Sequence, residues 1–165
     1  KILAHGNELA NHSWRHATGP GEGDLRHTSD VIEHATGFRP CVFRPPGGYL
    51  PSSTAAAAAA LGMVSVIWDV DTRDWTTPGS ASILHVATSG GRGSIVLMHD
   101  GGGNRSQTVA ALPAIIHSYR ARGYRMKTVT ELLGGHYVLE EEHGHHRSWN
   151  PPARKPAVPI PREGP

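Results

Sequence analysis

His12 and His16 stand four residues apart in Asn11-His12-Ser13-Trp14-Arg15-His16. On a helical turn this spacing projects both imidazoles from one face, about 6 Å apart along the axis, so they can share one divalent metal. A zinc-peptidase pattern needs glutamate after the first histidine, and position 13 is serine. A chemically active metal site also needs a third ligand and a position left for water. Taken singly, the pair also fits two polar residues on an ordinary surface turn.

Three further stretches carry chemistry. In Phe43-Arg44-Pro45-Pro46-Gly47-Gly48-Tyr49 a rigid turn holds an arginine whose planar fork suits a carboxylate. Its Gly47-Gly48 backbone can bring N–H groups close to a developing oxyanion; a plain loop is the alternative. Asp71-Thr72-Arg73-Asp74-Trp75 offers a carboxylate able to orient a histidine and an indole able to wall an apolar pocket. The alternative for Asp74 is a helix cap or turn. In Val96-Leu97-Met98-His99-Asp100 a histidine directly follows an apolar run, where it suits general acid catalysis or, more plainly, a satisfied core position.

The elements that must position these residues alternate. Strands are expected at Glu8–Ser13, Cys41–Phe43, Met63–Trp68, Ser94–Met98 and Tyr124–Val129, those at 63–68 and 94–98 buried. Helices are expected at Gly23–Thr36, Ser52–Leu61, Ser80–Thr88 and Gln107–Arg122, with a short turn at Thr130–Leu133. Six consecutive alanines mark the second helix. The last long helix has Val109, Leu112, Ile115, Ile116 and Tyr119 on one side. This βα alternation predicts a parallel α/β architecture, open or barrel-like. His12 and His16, Arg44, Asp69 to Trp75, and His99-Asp100 all fall at strand ends, where such folds bind ligands.

Lysine and arginine total 16 and aspartate and glutamate 14, a net charge of +2. With no basic excess or cluster, charge-driven binding to nucleic acid or a membrane surface is not the first hypothesis. No run approaches the roughly 18 apolar residues of a membrane span. The single cysteine, Cys41, excludes an intrachain disulfide framework and a cysteine-rich zinc module. Lys1-Ile2-Leu3-Ala4-His5-Gly6-Asn7 is no signal peptide and reads as the end of a helix stopped by Gly6, so an N-terminal truncation is expected. From 134 to 165 the chain turns acidic at Glu140–Glu142 and histidine-rich at His143–His146, then holds six of the thirteen prolines. A disordered tail is expected there, its His-Gly-His-His cluster a weak metal tract.

In this order, His12-Ser13-Trp14-Arg15-His16, Phe43-Arg44-Pro45-Pro46, Asp71-Thr72-Arg73-Asp74-Trp75 and Leu97-Met98-His99 resemble four motifs of the polysaccharide deacetylases. These are carbohydrate esterases with the NodB-homology domain. The resemblance covers residues 1–133 and implies a distorted, incomplete (β/α) barrel that removes N- or O-acetyl groups from a sugar polymer. It implies that His12 and His16 ligate zinc or another divalent ion such as cobalt. His99 would be the general acid, Asp74 would hold His99, and Arg44 would position the catalytic-base carboxylate. Trp75 and Leu97 would line the acetyl pocket, with Gly47 and Asp71 also on the substrate side. An acetylated glycan is the expected partner of a monomer outside the cell or on its surface.

Two departures matter. The family's aspartate pair in Thr-Phe-Asp-Asp, which supplies its base and third metal ligand, does not occur in this sequence. The polypeptide alone is therefore expected to bind metal weakly and to be nearly inactive. Gly47 also replaces the tyrosine of the arginine motif. The main alternative is a non-catalytic carbohydrate-binding relative. A different zinc hydrolase, drawing on Asp69, Asp71 or Asp100, ranks lower.

Overall fold

The computed structural model describes residues 1–134; the expected tail lies outside the described residues apart from Gly134. Four short strands, β1 (Val42–Phe43), β2 (Val64–Ser65), β3 (Val70–Asp71) and β4 (Val96–Leu97), form two parallel pairs. Val42 faces Val64 and Phe43 faces Ser65 in the first pair; Val70 faces Val96 and Asp71 faces Leu97 in the second. Asn11 extends the first pair by a parallel bridge to Phe43. The long helices α1 (Glu22–Thr36), α2 (Ser52–Ala60), α3 (Ser80–Ala87) and α4 (Ser106–Ala121) fall between or after these segments, and α5 (Val129–Leu132) is one turn.

Each pair has its own apolar support. Leu25 of α1, Phe43 of β1, Ala58 of α2 and Met63 form one buried cluster. Ile83 and Ala87 of α3 join Ala111, Ile115 and Tyr119 of α4 in another, against which Val96 and Met98 pack. Successive residues of a strand point to opposite faces, so Leu97 and His99 turn away from that cluster. Helix ends follow local chemistry. Glu22 and Asp24 sit in the first turn of α1, where the helix dipole favours acids. Gly37 ends it at φ 69°, its N–H donating to the Glu33 carbonyl. Thr128 and Glu131 form a reciprocal capping box at α5.

The structure corrects several expectations. Glu8–Ser13 is not a strand; only Asn11 pairs. Met63–Trp68 shortens to Val64–Ser65, and beyond the buried Met63 it is not buried, with Ile67 55% exposed, because β2 is paired along one edge only. Tyr124–Val129 forms no ladder, and Val129 already belongs to α5. Val70–Asp71, not among the expected strands, is a strand. In α4 the buried residues are Thr108, Ala111, Ile115 and Tyr119, while Val109 is 65% exposed. Small Ala111 lets α4 settle against Ile83 and Ala87 of α3, which turns the face away from Val109. Leu3–His5 is a single 3-10 turn closed by left-handed Gly6, in keeping with the expected helix end. Among the described residues no helix is long and apolar enough to cross a membrane.

Candidate active site

Asn11 organises the first half of the site. Its N–H donates to the Val42 carbonyl and its carbonyl accepts from Arg44 N–H, fixing the segment beside β1. The fully buried side chain donates to the Leu25 carbonyl (2.7 Å) and Ser29 Oγ (2.9 Å), while Oδ1 accepts from Ser13 N–H. The chain cannot continue as a helix from there. Ser13 and His16 adopt left-handed φ values of 63° and 52°, and Trp14 N–H is drawn to Asp24 Oδ1. The expected helical turn is thus a bend stabilised by the Asn11 side chain. It still brings the His12 and His16 rings to 5.0 Å between centroids, edge to face.

His12 lies 2.6 Å through Nδ1 from the Arg44 carbonyl. A carbonyl only accepts, so Nδ1 carries the hydrogen and Nε2 keeps its lone pair. Burial pushes His12 below the usual imidazole range; the bond to the Arg44 carbonyl opposes this, and the charges of Arg44, His16 and His99 reinforce it. These side chains therefore share one electrostatic neighbourhood. A neutral imidazole with Nδ1–H on a backbone carbonyl is the form that ligates a metal through Nε2. The donor chemistry fits a divalent ion in kind but not in number. Among the described residues no group of three or more His, Cys, Asp or Glu side chains is placed to hold one.

The second half is built where β3 and β4 end. Thr72 Oγ1 donates to the Leu97 carbonyl (2.8 Å), stitching the two strand ends together. Arg73, at φ 50°, turns the chain into a 3-10 turn over Asp74–Thr76. Asp74 has a fully buried side chain, and His99 reaches it from β4 with 27% of its side chain exposed. Asp74 Oδ1 accepts from His99 Nδ1 (2.7 Å), and Oδ2 accepts from His99 N–H and Thr108 Oγ1, both 2.8 Å. Burial alone would raise this carboxyl, yet the donors on His99 and Thr108 outweigh it and hold Asp74 below the usual carboxylate range. With Nδ1 committed, His99 presents Nε2 outward.

The remaining expected residues separate. The Arg44 guanidinium is half-buried, and among the described residues it forms no ion pair; it stands 6.0 Å from the Trp68 ring centroid. Burial lowers its pKa and attraction to Asp100 opposes the shift. Gly47 is exposed at φ 61° beside it. Trp75 is 51% exposed after Asp74, and Leu97 is buried. The Asp71 carboxylate accepts from Arg73 N–H and so shapes the turn. The motifs missed Trp68, Thr108 and the hub role of Asn11. Gly48 bears on Trp68, since a Cβ there would stand 3.0 Å from the indole. A cavity of about 820 Å3 lies elsewhere, between β4, α4 and residues 124–132. It includes none of the histidines, and the chemistry sits on the open face instead.

Paired parallel strands backed by helices, with acid–base residues at the strand ends, define an α/β protein with an enzyme-type site. The family model for polysaccharide deacetylase matches residues 1–66. A peptidoglycan-N-acetylglucosamine deacetylase of Bacillus cereus is 40% identical over 141 residues, 81% of this chain and 66% of the relative. A chitooligosaccharide deacetylase of Sinorhizobium fredii is 30% identical, covering 79% of this chain and 69% of its own. The chain belongs to the polysaccharide deacetylase family. A family 4 carbohydrate esterase from Streptomyces lividans, solved with acetate, superposes with a TM-score of 0.68 at 31% identity, over 73% of this chain and 65% of that one. A family 4 pseudoenzyme from Bacillus anthracis superposes at 0.72 and 30% identity, over 79% and 48%. The chain thus spans about two thirds or less of most of these relatives. Its fold is an incomplete (β/α) barrel of the NodB type.

Proposed function

We propose that this domain serves a metal-dependent hydrolase that removes N- or O-acetyl groups from a polysaccharide, acting on carbon–nitrogen bonds other than peptide bonds when the group is an acetamide. The observation that carries this reading is the Asp74–His99 pair, its free Nε2 in the same electrostatic neighbourhood as His12 and His16. A divalent ion such as Zn2+ or Co2+, when bound, would supply Lewis-acid polarisation of an acetyl carbonyl. His12 and His16 would hold it, with a third ligand from outside the described residues. As general acid His99 acts from its imidazolium form: Nε2, having taken up a proton from solvent, gives it to the leaving amine or alkoxide, while Asp74 holds the Nδ1–H throughout and stabilises the imidazolium. Arg44 is available to position a base carboxylate. Trp75 and Leu97 wall the site for the acetyl methyl, and Gly47 and Asp71 stand at its margin. The protein would act outside the cell or on its surface, as a monomer.

The test is acetate release from acetylated peptidoglycan, chitin oligomers or xylan by the gene product in full, with loss on chelation. The 165-residue chain alone is expected to bind metal weakly and turn over slowly. His12→Ala weakens Zn2+ binding in calorimetry, whereas His99→Ala keeps the metal and lowers turnover by about 100-fold or more. Full activity in His99→Ala overturns the general-acid assignment. The pseudoenzyme neighbour supports a second reading, a glycan-binding domain without turnover. It predicts saturable glycan binding with no acetate released.

A further inference from the structure

Asp74 reaches His99 through one oxygen, and what holds the other oxygen decides how firmly the carboxylate is aimed. Two donors meet Oδ2. One is the His99 N–H, a backbone group tied to the strand end. The other is the Thr108 hydroxyl, 2.8 Å away and 34 residues along the chain. Thr108 is buried in the first turn of α4. There the unpaired backbone N–H groups favour an adjacent anion. Gln107, its neighbour, accepts the Gly79 N–H at the start of α3 through Oε1 (2.6 Å), so this turn of α4 is anchored on two sides.

We propose that Thr108 is a positioning residue: its hydroxyl holds the outer oxygen of Asp74 so that the inner oxygen keeps His99 in the Nδ1–H tautomer with Nε2 presented to the site. The role deepens the deacetylase reading and rests on it only for its consequence in turnover. A hydroxyl at 108 can either donate or accept, and an ionised carboxylate only accepts, so the direction of this bond is fixed. Valine has nearly the shape of threonine but cannot donate. It leaves Oδ2 with the backbone donor alone in a site from which water is excluded, where a lost partner to a charged group is felt most.

The experiment compares Thr108→Val, Thr108→Ser and Thr108→Ala with the parent 165-residue chain, using nitrogen-15 NMR of the histidine rings together with thermal unfolding. In the parent, the neutral form of His99 is expected to carry its hydrogen on Nδ1, the atom that faces Asp74. Thr108→Val and Thr108→Ala are expected to shift the His99 ring resonances toward tautomer averaging, and Thr108→Ser to restore them. In the metal-loaded gene product, Thr108→Val is expected to lower kcat about tenfold with KM unchanged, and Thr108→Ser to recover most of it. If Thr108→Val and Thr108→Ala lower the melting temperature while His99 keeps the parent resonances, Thr108 serves packing alone and the proposal is overturned. Should Thr108→Val fail to fold, Thr108→Ser and Thr108→Ala decide: equal His99 spectra in those two overturn it. A shifted His99 spectrum in a protein that deacetylates nothing upholds the positioning role and removes the deacetylase reading instead.

Discussion

Asp74 is a buried carboxylate kept ionised by its donors, and that makes it a reporter of acid stability. Its pKa in the folded state lies below the unfolded value of about 4. The stability it contributes is therefore fully present above pH 4 and is lost as pH falls through the depressed folded value. Asp74→Asn should lower stability at pH 7, and its deficit should shrink progressively as pH falls below about 4, as read by urea denaturation across that range. Cys41 gives a second residue-level prediction. Burial pushes its thiol up, with the hydrogen bond to Thr130 opposing. Alkylation by iodoacetamide at pH 8 should accordingly run about tenfold slower than for an exposed thiol, and urea should abolish the difference.

Two connections at the scale of elements hold the site open in the right shape. Asn11 ties the segment that carries His12 to β1 through its backbone and to α1 through two side-chain hydrogen bonds, while its Oδ1 accepts from Ser13 N–H. Asn11→Ala should cost about 2–3 kcal/mol in urea denaturation, since buried partners lose their bonds together. Arg105, just before α4, donates to the carbonyls of Gly101, Gly102 and Asn104 at 2.9–3.1 Å and reaches the Trp75 carbonyl at 3.5 Å. It clamps the loop that follows His99 onto the turn that carries Trp75. Arg105→Ala should raise amide exchange in residues 101–104 by about tenfold while α4 stays protected. Equal protection in both proteins would show that the glycine loop holds itself.

Over the whole molecule, contacts distant in sequence close the unit. Glu8 accepts from the N–H and hydroxyl of Thr130, joining residues 122 apart. Thr130 itself is fully buried at the start of α5. Glu8→Ala should lower stability by about 1–2 kcal/mol and expose the C-terminal turn to proteolysis before the rest of the domain. The two apolar clusters sit under separate strand pairs. Mutations in one, such as Ile83→Ala, should therefore add to those in the other with little coupling.

Local rules read from the chain placed the four long helices within a few residues, because alanine runs, glycine stops and apolar spacing act within one turn. The same reading put His12, Arg44, Asp74 and His99 at the ends of apolar segments, and their order carried the family. Strand extents were less legible. A strand needs a partner edge, so Glu8–Ser13 reduces to the bridge at Asn11 and Val70–Asp71 becomes a strand only beside Val96–Leu97. The face of α4 was misplaced, since apolar spacing favoured Val109 and Leu112, whereas packing on α3 with a bond to Asp74 buries Thr108 and Ala111 instead. Sequence by itself determined which side chains can do chemistry, because that depends on residue type and motif. Only the tertiary structure decided their protonation and aim, because tautomer and burial are set by partners such as the Arg44 carbonyl and Thr108, which lie more than 30 residues away along the chain.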